Sequence, residues 1–167
     1  WPGGYARIGE NLEIDGNEAI REYTPLEGVL PVGERVRLDK YAYPGDPMRA
    51  LDISFEEILF ASQLGDLAAW QVSGFDDTWV IFVHGKGASR GEALRMLRVI
   101  EDAGLPSIAI TYRNDVGALE DPSGYYWYGL TEWEDLEAAA QYALTNGAND
   151  LILVGYSMGG GIIANFL

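Results

Sequence analysis

Two short stretches carry residue types at spacings that could do chemistry. In Gly155-Tyr156-Ser157-Met158-Gly159 a serine sits between glycines, just after the apolar run "LILVG" and at the start of a helix read from Met158 to Leu167. A serine on a sharp strand-to-helix turn stands clear of the sheet. Behind it, the helix N-terminus favours developing negative charge. Such a turn strains the serine backbone and needs almost bare neighbours, which the flanking glycines provide. The pattern points to Ser157 as a nucleophile toward an acyl carbon.

The second stretch is "HGKGASR", which follows the apolar run "TWVIFV". Acyl transfer needs N–H donors aimed at the oxyanion: one from the residue after the nucleophile, one from the loop after an earlier strand. The backbone amides of Met158 and Lys86 fit those roles, and only the amide of Lys86 is needed, not its side chain. The glycine spacing around Lys86 matches neither a Walker loop nor a dinucleotide fingerprint, so a plain tight turn is the other reading. His84, Gly85 and Tyr156 are pocket candidates. So are Arg113 and Asn114, which with Asp115 follow the C-terminal end of "SIAITY", where sites of open α/β sheets lie. They could equally cap a loop. The cluster Tyr125 to Tyr128 is read either as an acyl contact or as packing.

These residues need a sheet to position them. "TWVIFVHG", "SIAITY" and "LILVGYS" are continuous apolar runs, as expected of strands buried on both faces. Between them "SRGEALRMLRVIEDAG" and "TEWEDLEAAAQYALTNG" have helical spacing, closed by Gly104 and Gly147; Thr131 and Glu134 stand at capping-box spacing. Alternating strands and helices imply crossovers and a parallel sheet. Upstream, "SFEEILFAS" and "LAAWQVSG" read as an antiparallel hairpin. The fold class is therefore α/β, a mixed, mostly parallel sheet with helices on both faces. The first fifty residues read as a β-rich lead-in, with the alternating stretch "RVRLDKYAY" and turns at Pro31-Val32-Gly33 and Pro44-Gly45-Asp46.

At 167 residues the chain can bury a sizeable core. Its 26 acidic against 11 basic side chains give a net charge of -15. That surface repels phosphate backbones, which argues against a nucleic-acid partner. With no cysteine, thiolate metal sites, disulfides and a cysteine nucleophile are excluded. No apolar run is long enough to span a bilayer. The first residue is Trp1, which leaves a processed leader or anchor open, and with it a cytoplasmic, exported or membrane-tethered location.

The "HG" loop, the "GYSMGG" turn, the intervening helices and the preceding hairpin resemble the N-terminal half of an α/β-hydrolase. Within that superfamily "HGKGASR", "ITYRND" and "YGLTEWEDLEAAAQYAL" are similar to bacterial serine hydrolases of the esterase and acyl-peptidase-like branch. The resemblance runs from about residue 55 to 167, with residues 1–54 as a variable β-rich extension. It implies hydrolysis of small carboxylic esters through a Ser-His-Asp/Glu triad, with no metal and no cofactor; thioester or peptide bonds are open to the same chemistry. It also gives His84 a structural place beside the oxyanion loop; direct activation of Ser157 by His84 is the other reading.

The triad order puts the acid and histidine after the serine, yet none of the residues after Ser157 is Asp, Glu or His, and His84 is the chain's one histidine. The expectation is a half-domain. Its partner is then the C-terminal half of the same hydrolase, on missing sequence or a separate chain, and "LILVG" becomes a central strand. A non-catalytic binding module of the same fold is the alternative.

Overall fold

The structure is a computed structural model in which residues 4–36, 43 and 45–167 are described. The chain divides into two compact units, Trp1–Lys40 and Tyr41–Leu167. In the first, β1 (Tyr5–Asp15) and β2 (Glu18–Glu27) pair antiparallel across Gly16-Asn17. The φ of 57° at Gly16 suits a tight hairpin turn. The turn expected at Pro31-Val32-Gly33 is closed by Glu34 N–H donating to the Pro31 carbonyl at 3.2 Å. Most of "RVRLDKYAY" and the Pro44 turn lie outside the described residues.

The second unit begins earlier than the sequence division at residue 54. Helix α1 (Pro47–Leu51) is capped by the Asp46 carboxylate, which accepts from Arg49 N–H. Just beyond it, Ile53 is buried in the core of this unit. Apolar burial, not the change in composition, sets the boundary.

Strands β3 (Glu56–Ser62) and β4 (Gly65–Val72) form the expected hairpin. Next to β4, β6 (Ser107–Ile110) runs antiparallel to it, while β5 (Thr78–Val83) and β7 (Asp150–Gly155) run parallel to β6. The sheet order is β3-β4-β6-β5-β7. Each fully buried Val, Ile or Phe contributes about 1.5–3 kcal/mol, and β5 is buried from Trp79 to Val83.

Alternation along β5 splits the core. Val80 and Phe82 join Ile53 and the Leu94 and Leu97 side chains of α2 (Leu94–Asp102) on one face. On the other, Trp79, Ile81 and Val83 meet α3 (Trp133–Thr145) through Leu136, Ala139 and Ala143, and α4 (Met158–Phe166) through Ile162. Helices thus cover both faces, as a mixed α/β sheet requires.

Among the described residues β7 pairs only with β5 and lies at the edge of the sheet, with Ile152 44% exposed; the central place expected of it belongs to the assembled domain. One expectation changes. The Thr131–Glu134 capping box does not form, and the N-cap of α3 is Glu132, without a side-chain cap. Instead the buried Glu132 carboxylate reaches back and accepts from the amides of Trp127 and Gly129, both at 2.7 Å. Orphan amides in the preceding loop win it from the helix end.

Candidate active site

Ser157 links β7 to α4 with φ 50° and ψ -113°. A side-chain-bearing residue at positive φ costs on the order of 1–3 kcal/mol and persists only where its surroundings over-determine it. Tyr156 N–H donates to the Val83 carbonyl at 2.9 Å, tying the turn to the end of β5. Gly159 N–H donates to Tyr156 O and Gly160 N–H to Ser157 O, at 2.8 and 3.0 Å. Bare backbone makes this possible: a Cβ on Gly155 would lie 2.6 Å from Gly159 C, and one on Gly159 only 2.1 Å from the Val83 carbonyl oxygen. The serine itself is exposed, and its hydroxyl has no hydrogen-bond partner among the described residues.

The loop after β5 lies against this turn. A Cβ on Gly85 would meet Ser157 Cβ at 3.2 Å and the Tyr156 carbonyl at 3.1 Å. Gly85 N–H donates to Glu92 Oε2 at 2.8 Å. That leaves the next amide, Lys86 N–H, without a partner among the described residues. The amide of Met158, first residue of α4, is one that no intrahelical carbonyl can reach. Two unused donors therefore flank the serine turn, while the Met158 side chain is buried in the core.

His84 is 2% exposed, and both its ring nitrogens face oxygen acceptors: Gly85 O at 2.9 Å and Asp115 Oδ2 at 2.8 Å. Its ring stacks on Tyr112 at 4.4 Å, and the Tyr112 hydroxyl donates to the His84 carbonyl. Both nitrogens are thus engaged by groups other than Ser157.

The other candidates separate. Arg113 is buried, its N–H and Nε both 2.8 Å from Asp135 Oδ2 and its Nη2 2.8 Å from Glu134 Oε2. Burial would lower its pKa, but the hydrogen bonds to Asp135 and Glu134 reverse that and raise it. Arg113 therefore anchors the first turn of α3. Asn114, at φ 70°, organises its loop: Nδ2 donates to Tyr125 O and Oδ1 accepts from Asp121 N–H. Tyr156 packs toward the core face of α2, and burial pushes its hydroxyl pKa up, with Arg95 opposing.

In the aromatic loop, Tyr126 packs edge-on against Tyr112. Further along, a Cβ on Gly129 would lie 2.7 Å from the carbonyl oxygen of Gly161 in α4, so the loop presses on that helix. Lys86 Nζ donates to Tyr128 Oη at 2.7 Å and joins this loop to the "HG" loop. Sequence reading passed over Glu92 and Glu132. Each acts on a backbone amide in a different loop, and no side-chain periodicity marks that.

No family model matches the sequence, and no curated protein matches it. Solved structures do. An esterase of Pyrococcus furiosus superposes with a TM-score of 0.61 at 20% identity, over 73% of this chain and 49% of that one. An α/β serine hydrolase without a lid from Xanthomonas campestris gives 0.53 at 19%, over 65% and 53%. An epoxide hydrolase from an endophytic Streptomyces gives 0.55 at 25%, over 67% and 32%. This chain thus spans about half the length of the esterase. At these identities the likeness is one of fold.

Proposed function

From the α/β-hydrolase fold that this chain has, we propose that it forms part of a serine hydrolase acting on carboxylic esters. Ser157 Oγ attacks the acyl carbon, and its proton passes to an imidazole outside these 167 residues. The Lys86 and Met158 amides receive the oxyanion. As the tetrahedral intermediate collapses, the alcohol leaves with that proton, and water then releases the acid from Ser157. The observation that carries this reading is the strained, exposed, unpartnered serine between a strand and a helix, flanked by unused amides. Thioesters and peptide bonds are further substrates of the same attack.

A non-catalytic binding module is the second reading, favoured by one observation. The chain's one histidine has both ring nitrogens engaged. The two readings part on one experiment. The chain is co-expressed with the C-terminal half that carries the acid and the histidine, then treated with a fluorophosphonate and assayed on a nitrophenyl ester. Label on Ser157, with turnover appearing on assembly, is the expected result. An assembled, folded protein that neither labels nor turns over is the binding module.

The oxyanion assignment has its own test. Lys86→Pro removes the amide donor and is expected to lower turnover of a neutral ester by about 10²–10³-fold. Lys86→Ala keeps that donor and should cost far less. Equal losses in the two variants would move the oxyanion contact elsewhere.

A further inference from the structure

Among the bases of the second unit, Arg90, Arg95, Arg98 and Arg113 each lie within 4 Å of a carboxylate. Lys86 does not among the described residues, in a chain with 26 acidic residues. Its ammonium donates to Tyr128 Oη at 2.7 Å and lies 4.7 Å from the centre of the Tyr128 ring and 5.8 Å from that of Tyr126. An ammonium has three donors, and only this one bond is made among the described residues. The phenol accepts the lysine proton and keeps its own O–H to donate. Two donors thus converge on one exposed spot, on the residue that follows Gly85 at the serine turn.

The placement of Tyr128 is not relaxed. Its backbone sits at φ 54°, a conformation that bulky residues avoid. The buried Glu132 carboxylate holds it there through the amides on either side, Trp127 and Gly129. Gly129 packs closely on Gly161 of α4. Strain maintained by a buried carboxylate, in a loop packed on the helix that begins at the candidate nucleophile, points to a binding role for the side chain.

We propose that Lys86 Nζ and Tyr128 Oη form a subsite for a carboxylate on the substrate, so that the preferred esters are anionic, such as monoesters of short dicarboxylic acids. This rests on the ester-hydrolase reading above. The net charge of -15 opposes an anion at long range, but salt screens that repulsion beyond about 8 Å. At contact, the charge-assisted hydrogen bonds decide.

The test compares two arylesters on the assembled protein, a hemisuccinate and the butyrate of similar length, and reads the ratio of their kcat/KM. The ratio should favour the hemisuccinate in the parent. It should fall about 10–100-fold in Lys86→Met, the range of a hydrogen bond to a charged group, and fall further in Lys86→Glu. Tyr128→Phe should lower it by a smaller factor. Binding of succinate, followed by chemical-shift changes at Lys86 and Tyr128, provides a readout without turnover. It should weaken as salt is added and vanish in Lys86→Met. Butyrate hydrolysis with no hemisuccinate preference overturns the subsite and leaves the hydrolase. Failure to hydrolyse either ester overturns the hydrolase reading, and absence of succinate binding then overturns the subsite as well.

Discussion

Ser157→Ala in the assembled protein is expected to lower ester turnover by about 10⁴–10⁶-fold, the range seen when a triad member is removed. The residual rate would come from substrate binding and the amides of Lys86 and Met158, which the substitution leaves in place. Alanine keeps the Cβ and therefore the backbone strain at φ 50°, and the lost hydroxyl has no partner among the described residues. Folding should be unchanged, so a melting curve matching the parent's would assign the loss to chemistry. KM should move little, since the hydroxyl contributes mainly in the transition state. Turnover within tenfold of the parent would remove Ser157 from the nucleophile role.

The second large effect concerns neighbouring glycines in α4. A Cβ on Gly159 would sit 2.1 Å from Val83 O, 2.8 Å from Val83 C and 2.9 Å from His84 O. All three are backbone atoms at the end of β5, with no flexible side chain to yield. Gly159→Ala must therefore push α4 off the sheet, at a cost of about 3 kcal/mol or more. It also shifts Ser157 relative to the "HG" loop, so activity and stability should fall together. Gly160→Ala is the internal control: its Cβ meets nothing within 4 Å. In a helix that change should stabilise by roughly 0.5–1 kcal/mol. Denaturant melts of the two variants should lie on opposite sides of the parent. If they coincide, the close approach of α4 to β5 is not what demands glycine at residue 159.

The site residues divide by the range of the forces that place them. Ser157 and its glycines were legible because the turn is local: an apolar strand, a positive-φ corner and a helix start lie within a dozen residues. His84 was legible as structural only through family resemblance. The contact that makes it so, Asp115 Oδ2, lies 31 residues away. Arg113 and Asn114 carried the right signal for a pocket, the C-terminal end of a strand. Asp135, on the following helix, holds the Arg113 guanidinium, and Asn114 takes the loop-capping role that was the other reading. Gly16-Asn17 was a readable hairpin signal between strands that the β-rich reading left unpaired.

Helix α1 and the β1–β2 pairing were not read from the sequence. By itself it determined the strands and helices from β3 onward, the α/β class and the glycine-flanked serine. Each depends on apolar period, capping chemistry or the absence of a Cβ, properties of residues within one or two turns of each other. Tertiary structure alone decided which groups those elements bring together. The sheet order sets β5 between β6 and β7 and so lays the "HG" loop against Ser157. Glu92 then reaches the Gly85 amide, Glu132 bends the aromatic loop, and Lys86 meets Tyr128 across 42 residues. Those contacts are made between polar groups with many possible partners. What selects among them is the register of strands and the burial of orphan amides, which no local pattern encodes.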